Sequence, residues 1–160
     1  MHHFQFGDTR SVDLSTLKNG DVFVADLGNG HGHQTGLVFS GKGILILSGP
    51  DRFTAYEASP HDNTVVVPCP EWKDMLVRVP AGAQVAQRET PKAGRIVVDE
   101  QGMHLTIRWL DVSGRAGGFS CVRLGAWTHG GVRQGIELDA WSLVAPDGRG
   151  GANVLVDFPD

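Results

Sequence analysis

Residues 20–48 read GDVFVADLGNGHGHQTGLVFSGKGILILS, three apolar runs joined by a loop rich in Gly and His. The same rhythm continues along the chain. Short runs rich in Val, Ile, Phe, Thr and Trp are cut at brief intervals by Gly and Pro. Runs of this length bounded by turn residues predict β-strands. The predicted strands are 21–27, 35–40, 43–48, 64–68, 75–79, 83–88, 95–99, 103–109, 119–124, 136–144 and 152–158.

Two of these runs alternate with period 2. Met103, Leu105, Ile107 and Trp109 share one face, and His104, Thr106 and Arg108 share the other. Ile136, Leu138 and Ala140 oppose Glu137 and Asp139. Such alternation predicts half-exposed antiparallel strands. Ile44–Leu47 and Val65–Val67 are apolar on both faces, so they are expected as central, doubly covered strands. Helix is confined to 13–18, closed by Asn19–Gly20. Segment 110–118 reads as a loop and 146–151 as a hairpin loop. The expected fold is all-β: one domain over 1–160, an antiparallel barrel or two-sheet sandwich with little helix. Without crossover helices, a meander of hairpins is expected rather than parallel pairs. The expected core is Val22, Val24, Leu37, Phe39, Ile44, Ile46, Val66, Val77, Val97, Leu105, Ile107, Trp109, Leu138 and Val156.

Charge and composition narrow the function classes. Fourteen basic and 18 acidic residues give a net charge of −4, and the cations are scattered. That argues against nucleic acid, whose binders concentrate cations to neutralise phosphates. No apolar run is long enough for a membrane-spanning helix. Two cysteines, Cys69 and Cys121, are too few for a disulfide framework, and the N-terminus shows no secretory pattern. A cytoplasmic protein with reduced thiols is expected. A homodimer through a sheet edge is one way to protect so many strands.

Three constellations could carry chemistry. His31 and His33, at i and i+2 in an extended segment, point to one side and could share a divalent metal. No other cofactor is expected. HGH here, with VPAGAQV at 79–85, resembles the two cupin motifs, although Leu37, Val38 and Val85 stand at the remaining ligand positions. Cys121 with His33 would give a thiol nucleophile and its base. GD at 20–21 followed by GHQTGLVFSGKG at 32–43 resembles the His-bearing hairpin of NlpC-type papain-like hydrolases, in the permuted order. Trp141 lies two residues beyond Asp139 and four beyond Glu137, so an exposed aromatic beside two carboxylates is expected to contact a ligand. Asp99, Glu100, Asp111 and Asp147 match no Ca²⁺ loop spacing and read as turn residues.

GDVFVADL (20–27), GLVFS (36–40), NTVVVPCP (63–70) and GRIVVDEQ (94–101) occur in the order seen in MazF/PemK-type toxins. The resemblance covers roughly residues 19–115. It implies a small twisted β-barrel from a family that cleaves RNA as homodimers. Where that family carries its catalytic Arg and Thr, this chain has Thr35–Gly36 and Pro70. The resemblance therefore implies the fold without the ribonuclease activity. The leading expectation is a non-catalytic soluble domain that binds a small molecule or a protein. The alternatives are a hydrolase using Cys121 and His33 and a metal-binding barrel using His31 and His33.

Overall fold

A computed structural model describes residues 11–28, 30–40, 43–57, 63–83, 85–86, 90–110 and 116–159. The strands are β1 (Val12–Asp13), β2 (Val22–Asp26), β3 (His33–Phe39), β4 (Gly43–Ile46) and β5 (Thr54–Glu57). There follow β6 (Val65–Pro68), β7 (Leu76–Arg78), β8 (Val85–Ala86), β9 (Ile96–Asp99) and β10 (Gly102–Leu110). The last are β11 (Ala116–Arg123), β12 (Thr128–Gly130), β13 (Ile136–Leu138), β14 (Trp141–Pro146) and β15 (Ala152–Phe158). The fold is all-β, as the apolar pattern predicts. It is sandwich-like rather than a closed barrel. Helical structure among the described residues is limited to 3₁₀ turns such as Leu14–Thr16 and Pro70–Trp72. None is long and apolar enough to cross a membrane.

The larger sheet runs β1-β6-β2-β3-β4-β5-β10-β9-β13-β8, with β11 on the other edge of β10 and β12 beyond it. A second sheet has the order β15-β14-β7. The main core lies between the two sheets. Leu37, Phe39, Leu45, Phe53, Leu105 and Ile107 meet Trp141, Leu143, Val156 and Phe158 there. On the opposite face of β2–β4, Phe23, Val38, Ile44, Ile46 and Val66 are closed over by Leu14 of the 3₁₀ turn. β3 and β4 are thus buried on both faces, which is why Ile44–Leu47 contains no polar position. Burying one such side chain contributes about 1.5–3 kcal/mol. All fourteen expected core residues are buried or packed against buried neighbours.

Two glycines make this central sheet fit. Gly36 faces Phe23 across β2–β3, and a Cβ there would lie 2.5 Å from the Phe23 ring. Gly43 faces Phe39 across β3–β4, and its Cβ would lie 2.2 Å from that ring. Each ring lies flat where a side chain would otherwise stand.

Several expectations are corrected. Segment 136–144 is not one strand: β13 belongs to the large sheet and β14 to the small one, with the chain changing sheets between them. The alternation across 136–138 is inverted, with Ile136 56% exposed and Glu137 2% exposed, because Glu137 turns in to meet the half-buried Arg95. His104 and Thr106 are buried, not half-exposed; their polar atoms find partners inside. Val65 is exposed beside the two-residue β1, with Val66 alone of the pair turned into the core. One pair, β5 with β10, is parallel, and the intervening chain crosses over through strands instead of a helix. β1, β5 and β12 are too short or too polar to show as runs. Of 83–88, only β8 lies in a described strand, and 84 and 87–89 fall outside the described residues.

Candidate functional site

The histidine loop does not present two ligands side by side. Gly32 has φ +67°, so the segment between His31 and His33 is not extended and the i, i+2 rule lapses. His31 Nε2 sits 3.1 Å from Asp51 Oδ2. His33 opens β3, exposed and opposite Asp26. Among the described residues no three His, Cys, Asp or Glu side chains converge as a metal-holding group.

Cys121 and His33 are not brought together. Cys121 is 1% exposed on β11, with its sulfur 3.8 Å from Thr106 Oγ on β10. The β11–β12 end of the sheet touches the chain at Ser40, just past the far end of β3. His33 and Ser40 are separated by roughly 23 Å of extended strand. Cys69 is also free and buried, and burial together with Glu71 pushes its thiol up to about 11. A thiol so placed stays protonated and unreactive near neutrality.

Trp141, Glu137 and Asp139 do not form an exposed face. Trp141 is 1% exposed and packs between Phe53 and Phe158, with its indole N–H donating to the Gly94 carbonyl at 2.7 Å. Glu137 turns into the large sheet and pairs with Arg95 Nη1 at 3.2 Å. Asp139 lies where the chain changes sheets and is half-buried. Among the loop carboxylates, Asp99 Oδ1 accepts the Gln101 N–H and Asp147 Oδ1 accepts those of Arg149 and Gly151. These are turn bonds, as expected. Asp111 lies outside the described residues.

Three groupings emerge that the sequence did not announce. The first is a groove of about 380 Å³ where the sheets meet, lined by Leu47, Ser48, Gly49, Arg52, Leu155, Val156 and Asp157. Arg52 lies over the Phe53 ring at 4.8 Å and donates from Nη1 to the Asp157 carbonyl at 2.8 Å. Phe53 itself has φ +66°, a costly conformation for a residue with a bulky side chain. That turn sends Phe53 into the core while Arg52 stays at the groove.

The second is His104, 2% exposed, whose Nε2 lies 3.0 Å from Asp99 Oδ1, with Arg133 Nη1 3.7 Å from the other carboxylate oxygen. Burial works to raise the Asp99 pKa. The Gln101 N–H, the His104 ring and Arg133 outweigh it, and the carboxyl is held below its usual value.

The third is at the other end of β3 and β4 from the groove. His129 Nε2 on β12 lies 2.9 Å from Ser120 Oγ on β11. The imidazole stacks on Trp109, with ring centroids 4.9 Å apart and planes at 23°, and tilts against Phe39 at 5.8 Å. Its backbone N–H donates to Ser40 Oγ at 2.9 Å. His129 is exposed on its outer side, and partial desolvation on the other lowers its pKa. The turn into β12 contains Trp127 at φ +56°, packed over Gly20. Period-2 counting does place Ser120 beside Val122 on the core-facing side of β11. His129 gave no strand signal because GAWTHGG is a short segment bounded by Gly125, Gly130 and Gly131. Compared with protein-family models, with curated proteins and with solved structures, the chain finds no match in any of the three.

Proposed function

We propose that this protein is a binding domain whose ligand seat is the groove between its two sheets. The observation that carries this reading is Arg52 at the groove wall, fixed by Phe53 beneath it and by the Asp157 carbonyl beside it. A guanidinium keeps its charge at any ordinary pH and presents several donors in one plane. Leu47 and Leu155 add an apolar wall, and Ser48 and Gly49 a polar rim. Such a seat suits a small molecule or peptide end with a carboxylate and an aliphatic portion. The groove is shallow, so millimolar to high-micromolar affinity is expected for a minimal ligand.

The seat acts by holding rather than by chemistry. Its one hydroxyl nucleophile, Ser48, accepts the Thr35 N–H at 2.9 Å. The MazF/PemK-like positions also support a reading without RNA cleavage. Thr35 is buried, Gly36 lies under the Phe23 ring, and Pro70 starts a 3₁₀ turn. None supplies a cation or a proton donor to a phosphate. Cys69 and Cys121, both free thiols, fit a reducing compartment such as the cytoplasm.

Titration with N-acetylleucine, followed by amide chemical shifts, tests the seat. Shifts are expected at Ser48, Gly49, Arg52 and Leu155. They should weaken at least tenfold in Arg52→Met and with N-acetylleucine amide. Shifts elsewhere, or equal affinity for acid and amide, would refute the reading.

A further inference from the structure

We propose that Ser120 is a nucleophile and His129 its general base, and that this pair hydrolyses esters with apolar acyl groups. The pair lies at the other end of β4 from the groove and shares no residue with it.

The pair has the contact that activation of a hydroxyl requires. A serine hydroxyl is a poor nucleophile until a base within hydrogen-bond reach takes its proton. Ser120 Oγ and His129 Nε2 are 2.9 Å apart. With the ring proton on Nδ1, Nε2 accepts the Ser120 O–H. In a serine–histidine–aspartate triad a carboxylate orients the imidazole. Here no carboxylate among the described residues contacts the ring, and packing orients it instead. Trp109 stacks beneath it, Phe39 abuts its edge, and Ser40 Oγ holds the backbone N–H of the same residue. The pair is therefore a dyad, expected to work slowly.

There is also room for a substrate. Gly118 precedes Ser120 by two residues on β11, at the irregularity where β11 shifts register against β10. Among the described residues, a Cβ at Gly118 would meet nothing within 4 Å. Ser120 itself is 9% exposed, and the missing side chain at 118 leaves its flank open. The partly buried indole of Trp109, stacked on the His129 ring, gives the pair an apolar neighbour that favours an apolar acyl chain. The strained Trp127 backbone fits a site held in place by its surroundings. Its carbonyl accepts the Ser40 N–H at 2.9 Å, tying the turn into β12 to the residue that holds His129.

The chemistry balances with water as the only co-reactant. Ser120 Oγ attacks the ester carbonyl carbon as its proton passes to His129 Nε2. The C–O bond to the alcohol breaks, and the alcohol leaves with that proton. Water then attacks the acyl-serine while His129 takes one of its protons. The acid departs, and the proton returns to Ser120.

The test uses the full chain with an alkyl fluorophosphonate, which forms a stable adduct only with an activated serine, and with p-nitrophenyl butyrate as substrate. The expected result is one adduct on Ser120, found by peptide mass spectrometry. Ser120→Ala should abolish the adduct and the hydrolysis. His129→Gln should slow both at least 100-fold, within the usual range for loss of a general base, with an unchanged circular dichroism spectrum. The wild-type adduct is decisive even if a variant misfolds. No adduct at Ser120 in the folded wild-type protein would overturn the proposal. So would equal labelling of His129→Gln, or hydrolysis that survives in Ser120→Ala.

Discussion

Glu137 and Arg95 form an ion pair whose two ends see different solvents: the carboxylate side chain is 3% exposed and the guanidinium side chain 23%. The asymmetry decides what each deletion does. Arg95→Ala leaves a carboxylate inside the large sheet with its cation gone. Removing one partner of a buried pair costs about 3–5 kcal/mol. We expect about 3 kcal/mol here, since Arg95 is partly hydrated. Glu137→Gln keeps the shape and removes the charge, leaving Arg95 able to turn toward water, so it should cost less than half as much. Urea unfolding of both variants checks the order. A Glu137→Gln loss equal to that of Arg95→Ala would show that the pair does not work this way.

The glycines of the central sheet should respond by position. At Gly36 and Gly43 the neighbour is an aromatic ring locked in the core, at 2.5 and 2.2 Å from a new Cβ. Overpacking of this kind costs about 1–3 kcal/mol. Gly36→Ala and Gly43→Ala should both lower Tm clearly. At Gly118 no described atom lies within 4 Å of a new Cβ, and Gly118→Ala should leave Tm within about a degree. If all three behaved alike, close approach of the rings would not be the reason for glycine in β3 and β4.

These contrasts mark what a sequence of this kind can and cannot show. Ile44–Leu47 reads as doubly covered because a strand buried on both faces has no use for polar residues, and that is how it lies. His104, Thr106 and Glu137 read as a solvent face because polar residues usually seek water. Here they are buried with partners from other parts of the chain: Asp99 on β9, Cys121 on β11 and Arg95 just before β9. A pattern along one strand carries no record of what stands across from it. The candidate sites fail for the same reason. His31, His33 and Cys121 are conspicuous residue types, yet Gly32 at φ +67° parts the first two and burial seals the third. Ser120 and His129 are ordinary in sequence and meet only because the hairpin of β11 and β12 places them diagonally on one face.

Asp99 links the His104 pair to acid stability. Its folded pKa lies below the ordinary 3.8. Between the folded value and 3.8 the unfolded chain binds more protons, so stability rises with pH across that window. The contribution is complete above 3.8 and is lost as pH falls through the folded value. Asp99→Asn should therefore be less stable than wild type at pH 6, and the gap should narrow as pH falls below 3.8 and through the folded value. Thermal melts of both proteins from pH 2 to 6 check this. A gap that stayed constant with pH would mean that Asp99 contributes through shape, not charge.

His129 should set the pH profile of any reaction at Ser120. Only the neutral imidazole can take the serine proton. Partial burial lowers the His129 pKa from its ordinary 6.5 by stripping some water from the cation, although the residue keeps an exposed side. The described groups that face the ring are Trp109 on β10, Ser120 on β11, Phe39 at the end of β3 and Ser40 just beyond it. None of them carries a charge to offset that penalty. The rate of fluorophosphonate labelling at Ser120 should thus be flat from pH 7 to 8. It should fall tenfold per pH unit once the pH drops well below an inflection that lies under 6.5. The same depressed pKa makes the folded state bind its proton later than the unfolded chain, so stability should also decline as pH falls from 6.5 through the folded value. In His129→Gln both dependences should flatten. An inflection above 6.5 would require a carboxylate partner for the imidazole and would make the pair a triad. A profile unchanged in His129→Gln would assign the proton transfer to another group.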